Sequence, residues 1–283
     1  MSESPHDGDE GSVRQTESDL DPNPAGILLT VAYDGRSFSG FAPQPNQRTI
    51  AGELLTALRT VDPSIREIRG ASRTDAGVHA LDQRVAFDPG RVIPPRGWAL
   101  ATSRALPREI AVRRASIVER GFTPRFVSNG KRYRYLVLRD PVRDPFLDGR
   151  VWRIEQALSD AAVVRARQEA LLAIGTHDFA AFRSAADPRE NTVRTIRTFT
   201  VQIDPADPRL VQIDIEGSGF MHNMVRILVG TLLDVARGRL GEGAISRALL
   251  SRRRADAGIT APPDGLCLMA VLLPDEGQAA WPV

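Results

Sequence analysis

From residue 26 onward the chain alternates between two hydrophobic periods. "GILLTVAYDG" (26–35) is an apolar run closed by Asp-Gly and predicts a strand. "TIAGELLTALRTV" (49–61) sets Ile50, Leu54, Leu55, Leu58 and Val61 on one helical face. "REIRG" (66–70) and "QRVAFD" (83–88) predict strands on either side of "GASRTDAGVHALD" (70–82). A short helix is expected around Trp98–Leu106, before the strand "EIAVRRASIV" (109–118).

The same order returns after "GFTPR" (121–125). "KRYRYLVLRD" (131–140) alternates, with Tyr133, Tyr135 and Val137 on one face and Arg132, Arg134 and Leu136 on the other. Ser159 is the expected N-cap of a helix over 160–175 whose face carries Val163, Arg167, Ala170 and Ile174. Two paired strands (192–204 and 209–217) follow, joined by "PADP", then the apolar helix 221–238. A short helix near Ala244–Leu250 and a last strand, "LCLMAVLL" (266–273), complete the pattern. Both halves read as strand, helix, strands, helix, strand. This is an α+β pattern with antiparallel sheets, one half echoing the other. The expected division is an acidic disordered tail over 1–25, a first half over 26–126, a second over 127–274 and a tail over 275–283.

Charge changes the picture in one respect. Seven acids against one base in the first 25 residues leave 36 bases against 28 acids in the rest, so the body is basic and the tail acidic. All but one of the bases are arginine, Lys131 being the exception. That balance suits a polyanionic partner without demanding one, because arginine also serves ordinary surface ion pairs. No run approaches the roughly 18 apolar residues of a membrane helix, and the first residues lack the order of a signal peptide, so the cytoplasm is expected. The lone Cys267, in "GLCLMAVLL", reads as a strand residue and not a nucleophile.

Few residues combine into chemistry. Four scattered histidines and one cysteine have no zinc-site spacing, and neither a phosphate loop, a dinucleotide fingerprint nor a nucleophile elbow occurs; no metal and no cofactor are expected. Asp75, in Arg73-Thr74-Asp75-Ala76-Gly77, fits a plain turn with a local ion pair. It also fits a site, since small neighbours let a bulky ligand approach and loops on rigid strands often carry function. Arg226, between Val225 and Ile227 in an apolar helix, needs a partner, and a carboxylate is the cheapest one. That pair would be structural, or it would hold a catalytic carboxylate ionised and aimed, with Asp75 the candidate. Tyr133 and Tyr135 are core aromatics or a stacking platform for RNA.

These residues carry a family resemblance. "RTDAGVHA" (73–80) resembles the signature of the TruA family of tRNA pseudouridine synthases. "VAYDGRSFSGF" (31–41), "KRYRYLV" (131–137), "FMHNMVRILVGTLLDVARGRL" (220–240) and "TAPPDGLCLMAV" (260–271) resemble the family's other segments, in order, across about residues 27–273. The resemblance implies two ferredoxin-like-related halves sharing a central antiparallel or mixed β-sheet flanked by helices. It implies a cofactor-free isomerase that turns uridine into pseudouridine in tRNA, usually at positions 38, 39 and 40 of the anticodon arm, and a homodimer holding the tRNA across both subunits. It implies Asp75 as nucleophile and Arg226 as its ion-pair partner. It further implies that Arg73 displaces or holds the flipped nucleotide, that Tyr133 packs on the uracil, and that Leu268 lines the pocket.

Three departures from the family pattern bear on the choice of uridine: Ser72 and Asp82, each where glycine is usual, and "GFAPQ" (40–44). Two other classes remain open to the sequence alone, a non-catalytic RNA-binding protein and a glycoside-type hydrolase. The hydrolase would want a second carboxylate as general acid, and no motif nominates one.

Overall fold

The computed structural model describes residues 25–282 except 156 and 157. In chain order it contains β1 (Ala25–Tyr33), α1 (Ile50–Val61), β2 (Arg69–Gly70), β3 (His79–Phe87), α2 (Pro95–Ala105), β4 (Ile110–Glu119) and α3 (Pro124–Val127). There follow β5 (Gly130–Leu138), β6 (Trp152–Arg153), α4 (Asp160–Leu171), β7 (Gly175–Asp178), β8 (Val193–Ile203) and β9 (Leu210–Gly217). The last elements are α5 (Met224–Ala236), α6 (Ala244–Ser251), β10 (Leu266–Leu272) and β11 (Gln278–Trp281).

One mixed sheet runs through both halves in the order β11-β4-β1-β3-β10-β5-β9-β8-β7, with β2 pairing β3 and β6 pairing β5. The expected echo is visible in the pairing. β1 lies antiparallel between β3 and β4, and β5 lies antiparallel between β9 and β10. The two trios are joined by β10, which is antiparallel to β5 over six residue pairs and parallel to β3 at Cys267↔His79 and Leu268↔Ala80. The floor of the molecule is therefore continuous, and its seam runs between the Asp75 segment and the Tyr133 strand. A single core extends across the seam, from Leu29, Leu54 and Trp98 through Tyr135 to Phe199 and Leu228.

Local reasons account for most element ends. Thr49 and Ser159 cap α1 and α4 by accepting from Gly52 N–H and Ala162 N–H. α5 is buried along nearly its whole length, as its apolar sequence requires; only Arg226 among its residues is not fully buried.

Five expectations change. The 66–70 strand shrinks to Arg69–Gly70, and β3 starts at His79, so "HALD" enters the strand itself. In α4 the buried face is Ala162, Val163, Ala166, Glu169 and Ala170, while Arg167 points outward. Helical structure there stops at Leu171, leaving Ile174 exposed. Residues 275–283, expected as a tail, contain β11, which pairs with β4 at Gln278↔Ile117 and Trp281↔Ala115. Glu276, just before it, joins Arg84 and Arg114 in ion pairs that fasten this end to the first half. The expected acidic tail lies outside the described residues except for Ala25, which already belongs to β1.

Candidate active site

Asp75 sits in the loop between β2 and β3, and that loop is fixed on several sides. Phe41 N–H donates to the Thr74 carbonyl (3.1 Å), Gly77 N–H to the Phe38 carbonyl (3.4 Å) and Val78 N–H to that of Asp75 itself (3.2 Å). Thr74 Oγ1 and the Tyr33 hydroxyl meet at 2.7 Å. Fully buried Gln83 clasps Ser72 twice, accepting from its N–H at 3.1 Å and donating to its carbonyl at 2.8 Å. Gly40, at φ +95°, is what lets the neighbouring turn close on the loop; a Cβ there would stand 2.9 Å from the Thr74 oxygen. Few freedoms remain except those of the Asp75 side chain.

Across the cleft, the first turn of α5 supplies Arg226. Its Nη1 donates to Asp75 Oδ2 at 3.2 Å and to Asn223 Oδ1 at 2.8 Å, and its Nε donates to the Ala261 carbonyl at 2.8 Å. Asn223 adopts the left-handed conformation (φ 62°) just before the helix. The segment carrying Ala261 lies directly on α5 because residue 230 is glycine: a Cβ there would fall 1.9 Å from the Ile259 oxygen. The guanidinium is thus oriented by three acceptors. With side chains 15% and 19% exposed, the Arg226–Asp75 pair is partly screened from water, and it holds the carboxylate in one direction. The other oxygen, Oδ1, is 3.5 Å from Nε2 of the half-exposed His222.

β5 provides the third side. The Tyr133 hydroxyl lies 2.9 Å from Ser72 Oγ, and its ring meets Phe220 edge-on at 5.4 Å. Burial pushes its phenol up to about 12; the Ser72 hydrogen bond opposes that rise and the Asp75 charge adds to it. Tyr133 is consequently a neutral phenol at physiological pH. Two residues earlier on the same strand face, burial lowers the Lys131 ammonium to about 8, and the nearby Arg125, Arg189 and Arg194 push the same way. Asp187 accepts from Arg189 through both oxygens and from His222 N–H at 2.8 Å. The Arg189 hydrogen bonds hold it well below the usual carboxylate range.

Together these walls enclose a cleft of about 510 Å³, within the usual range for a ligand pocket. Arg73, Asp75, Tyr133 and Arg226 all line it. Arg73 is exposed at the rim, without a carboxylate partner among the described residues. Leu268 differs from expectation: it is fully buried, in register with Tyr133, and does not line the cleft, whereas Leu266 does. The reason is the depth of the pleat, since Leu268 is covered by β3 on one side and β5 on the other.

Of the three departures, Ser72 and the "GFAPQ" residues Phe41, Ala42 and Gln44 line the cleft. Asp82 does not. It is ion-paired to Arg84 and accepts from Val271 N–H at 3.4 Å. Strand alternation puts it on the sheet face opposite Gln83, away from the cleft mouth that its sequence position suggested. Lys131, Phe220, His222 and the Asp187–Arg189 pair were not singled out from the sequence. For Lys131 the signal was present, since it shares parity with Tyr133. Among the described residues no group of three His, Cys, Asp or Glu is arranged to hold a metal.

A family model described as tRNA pseudouridine synthase matches residues 170–273, which include Arg226. Curated relatives match far more. The tRNA pseudouridine synthase A of Geobacter sulfurreducens is 40% identical over 245 residues, covering 87% of this chain and 98% of the relative. The chain belongs to the tRNA pseudouridine synthase A family. Proteins of the same name from Geotalea uraniireducens and a Thermoanaerobacter strain are 39% and 36% identical, each over 87% of this chain and 98% of the relative. Among solved structures, a chain from a Cbf5-Nop10-Gar1 complex aligns over 87% of this chain and 50% of its own, at 11% identity and a TM-score of 0.37. That distance carries no argument about the site, which rests on the geometry above.

Proposed function

We propose that this protein is the isomerase that converts uridine to pseudouridine in the anticodon stem-loop of tRNA, at positions 38, 39 and 40, with Asp75 as the nucleophile. Family membership supports tRNA pseudouridylation. The observation that carries the residue assignment is the Arg226–Asp75 pair at the bottom of a nucleotide-sized cleft, with Tyr133 on the adjoining wall.

The reaction breaks the bond between N1 and C1′, turns the base and joins C5 to C1′. The C5 proton leaves and N1 gains one, so no atom is lost. Asp75 Oδ2 is tethered to Arg226, which leaves Oδ1, facing His222, as the oxygen free to attack C1′ or C6. Arg226 stabilises the carboxylate before attack and aims it, so little reorganisation accompanies the step. Tyr133 and Phe220 offer ring surface to the uracil, replacing the stacking it loses on leaving the RNA. As a phenol pushed up to about 12, Tyr133 orients the base as a neutral hydroxyl; tyrosinate amounts to about 1 part in 10⁵ at pH 7. Arg73, exposed at the rim, takes the place of the extruded nucleotide or holds it.

The hydrolase reading is disfavoured by Asp187. It is the other carboxylate lining the cleft, and the Arg189 bridge keeps it ionised, whereas a general acid must be protonated. The binding-module reading has no use for the Asp75–Arg226 pair. We further propose that the enzyme acts in the cytoplasm as a homodimer; among the described residues no helix is long and apolar enough to cross a membrane. A tRNA transcript tritiated at uracil C5 tests the chemistry. Wild type releases tritium into water, and Asp75→Asn is expected to slow release by about 10⁴-fold or more. Release at the wild-type rate from that variant would refute the assignment.

A further inference from the structure

Lys131 presents a charge problem that the isomerisation leaves unsolved. It is the only lysine of the chain, it lines the cleft, and it lies on the same face of β5 as Tyr133. Three cations act on it: Arg125 on α3 and Arg189 in the loop before β8, which line the same cleft, and Arg194 on β8. Among the described residues no carboxylate pairs with it. Asp75 is engaged by Arg226, and Asp187 is spent on Arg189 and the His222 N–H. A half-buried ammonium among guanidinium groups is unfavourable by itself, so the charge of this wall favours an anion.

The position specifies the anion once the substrate is RNA, and the inference therefore rests on the reading proposed above. Two residues along a strand separate Lys131 from Tyr133 by about 6.6 Å, on the scale of one nucleotide step. In register with Lys131 on β9 is Gly217, which puts no side chain beside it. Arg125 is exposed, and Arg189, bonded to Asp187 through Nε and Nη2 and to the Phe220 carbonyl through Nη1, still has a side chain 38% exposed. We propose that Lys131, with Arg125 and Arg189 beside it, grips one phosphodiester of the RNA backbone adjacent to the uridine that enters the cleft. This contact fixes the register of the strand as the base turns out, and it acts in binding, apart from the bond-making at Asp75.

The experiment measures tritium release and tRNA binding for wild type, Lys131→Met, Lys131→Arg and Arg125→Gln, across salt concentration and across pH 7 to 10. For Lys131→Met, KM for tRNA is expected to rise about tenfold while kcat changes by less than about threefold, and the salt slope of binding to fall by about 0.7 to 1. Arg125→Gln, an exposed position that does not threaten folding, is expected to change KM and slope in the same direction by less. Lys131→Arg is expected to restore KM at pH 7.

The pH arm separates a phosphate contact from a structural one. An ammonium lowered to about 8 in the free protein is charged below that pH and loses its proton above it, so wild-type affinity falls between pH 8 and 10. Lys131→Arg keeps its charge, and its affinity stays flat over the same range. Arg125, Arg189 and Arg194 remain charged there, Asp187 remains ionised, and Tyr133 remains a phenol to about 12. Wild-type KM and salt slope in both Lys131→Met and Arg125→Gln would overturn the proposal, as would an identical pH dependence in Lys131→Arg. If wild type itself releases no tritium from any tRNA, the isomerase reading falls instead.

Discussion

The two walls of the cleft handle charge in opposite ways. On the α5 side the reacting pair is matched: Arg226 meets Asp75, Asn223 and the Ala261 carbonyl, and the Asp75 loop is tied by Phe41, Gly77 and Tyr33, with Arg73 alone among its described residues left free at its rim. On the β5 side Lys131, Arg125 and Arg194 stand together with only Asp187, itself committed to Arg189. A compensated wall is suited to hold one geometry through a reaction, and an uncompensated one to attract a polyanion. The contrast teaches that placement and attraction are divided between two walls of one cleft, with Tyr133 at the junction.

Substitutions can break this contrast. The largest loss belongs to Asp75→Asn, because it removes the reacting oxygen's charge. Next is Arg226→Met, which leaves Asp75 without its tether. Tritium release is expected to fall by about 10²- to 10³-fold with KM for tRNA nearly unchanged. A variant that instead raised KM alone would move Arg226 to the attracting side of the division.

Tyr133→Phe tests the junction. It keeps the ring and leaves Ser72 Oγ without its partner, which costs about 1 kcal/mol of stability. Turnover is expected to slow by about 10- to 100-fold, because the phenol orients and does not ionise. A loss as large as that of Asp75→Asn would make the hydroxyl a chemical participant. The smallest and most selective change is Gly230→Ala. The new methyl meets the Ile259 carbonyl, so the 259–261 segment must move; about 1–3 kcal/mol of stability is lost in a thermal melt. Displacement of the Ala261 carbonyl loosens Arg226 and lowers kcat a few-fold, while the salt slope, which belongs to the other wall, stays as in wild type.

What the sequence made legible was whatever depends on local pattern. The strands, the helices and the duplication of the strand plan follow from periods of 2 and 3.6 residues and from caps such as Thr49 and Ser159. Asp75 and Arg226 were visible because each violates its surroundings, a carboxylate among small residues and a cation in an apolar helix. Position in depth was not visible. Leu266 and Leu268 have the same parity on one strand, and only the neighbours β3 and β5 determine which of them reaches the cleft. Asp82 was misplaced for a related reason: a strand read from Gln83 leaves it in the loop, whereas β3 begins at His79 and gives it a fixed face. β11 escaped notice because a four-residue edge strand beside Gly and Pro carries too little pattern.

The place of β10 has a consequence for how the molecule comes into being. This strand joins the two trios, yet it follows nearly all the rest of the sheet in the chain. During synthesis, β3 and β5 each wait with an open edge until residues 266–272 leave the ribosome, at a stage when both halves have already been made. The unfinished chain holds Asp75 in one trio and Tyr133 in the other, without the strand that pairs with both. A chain ending before residue 266 is therefore expected to expose two sheet edges and to release no tritium from a labelled tRNA.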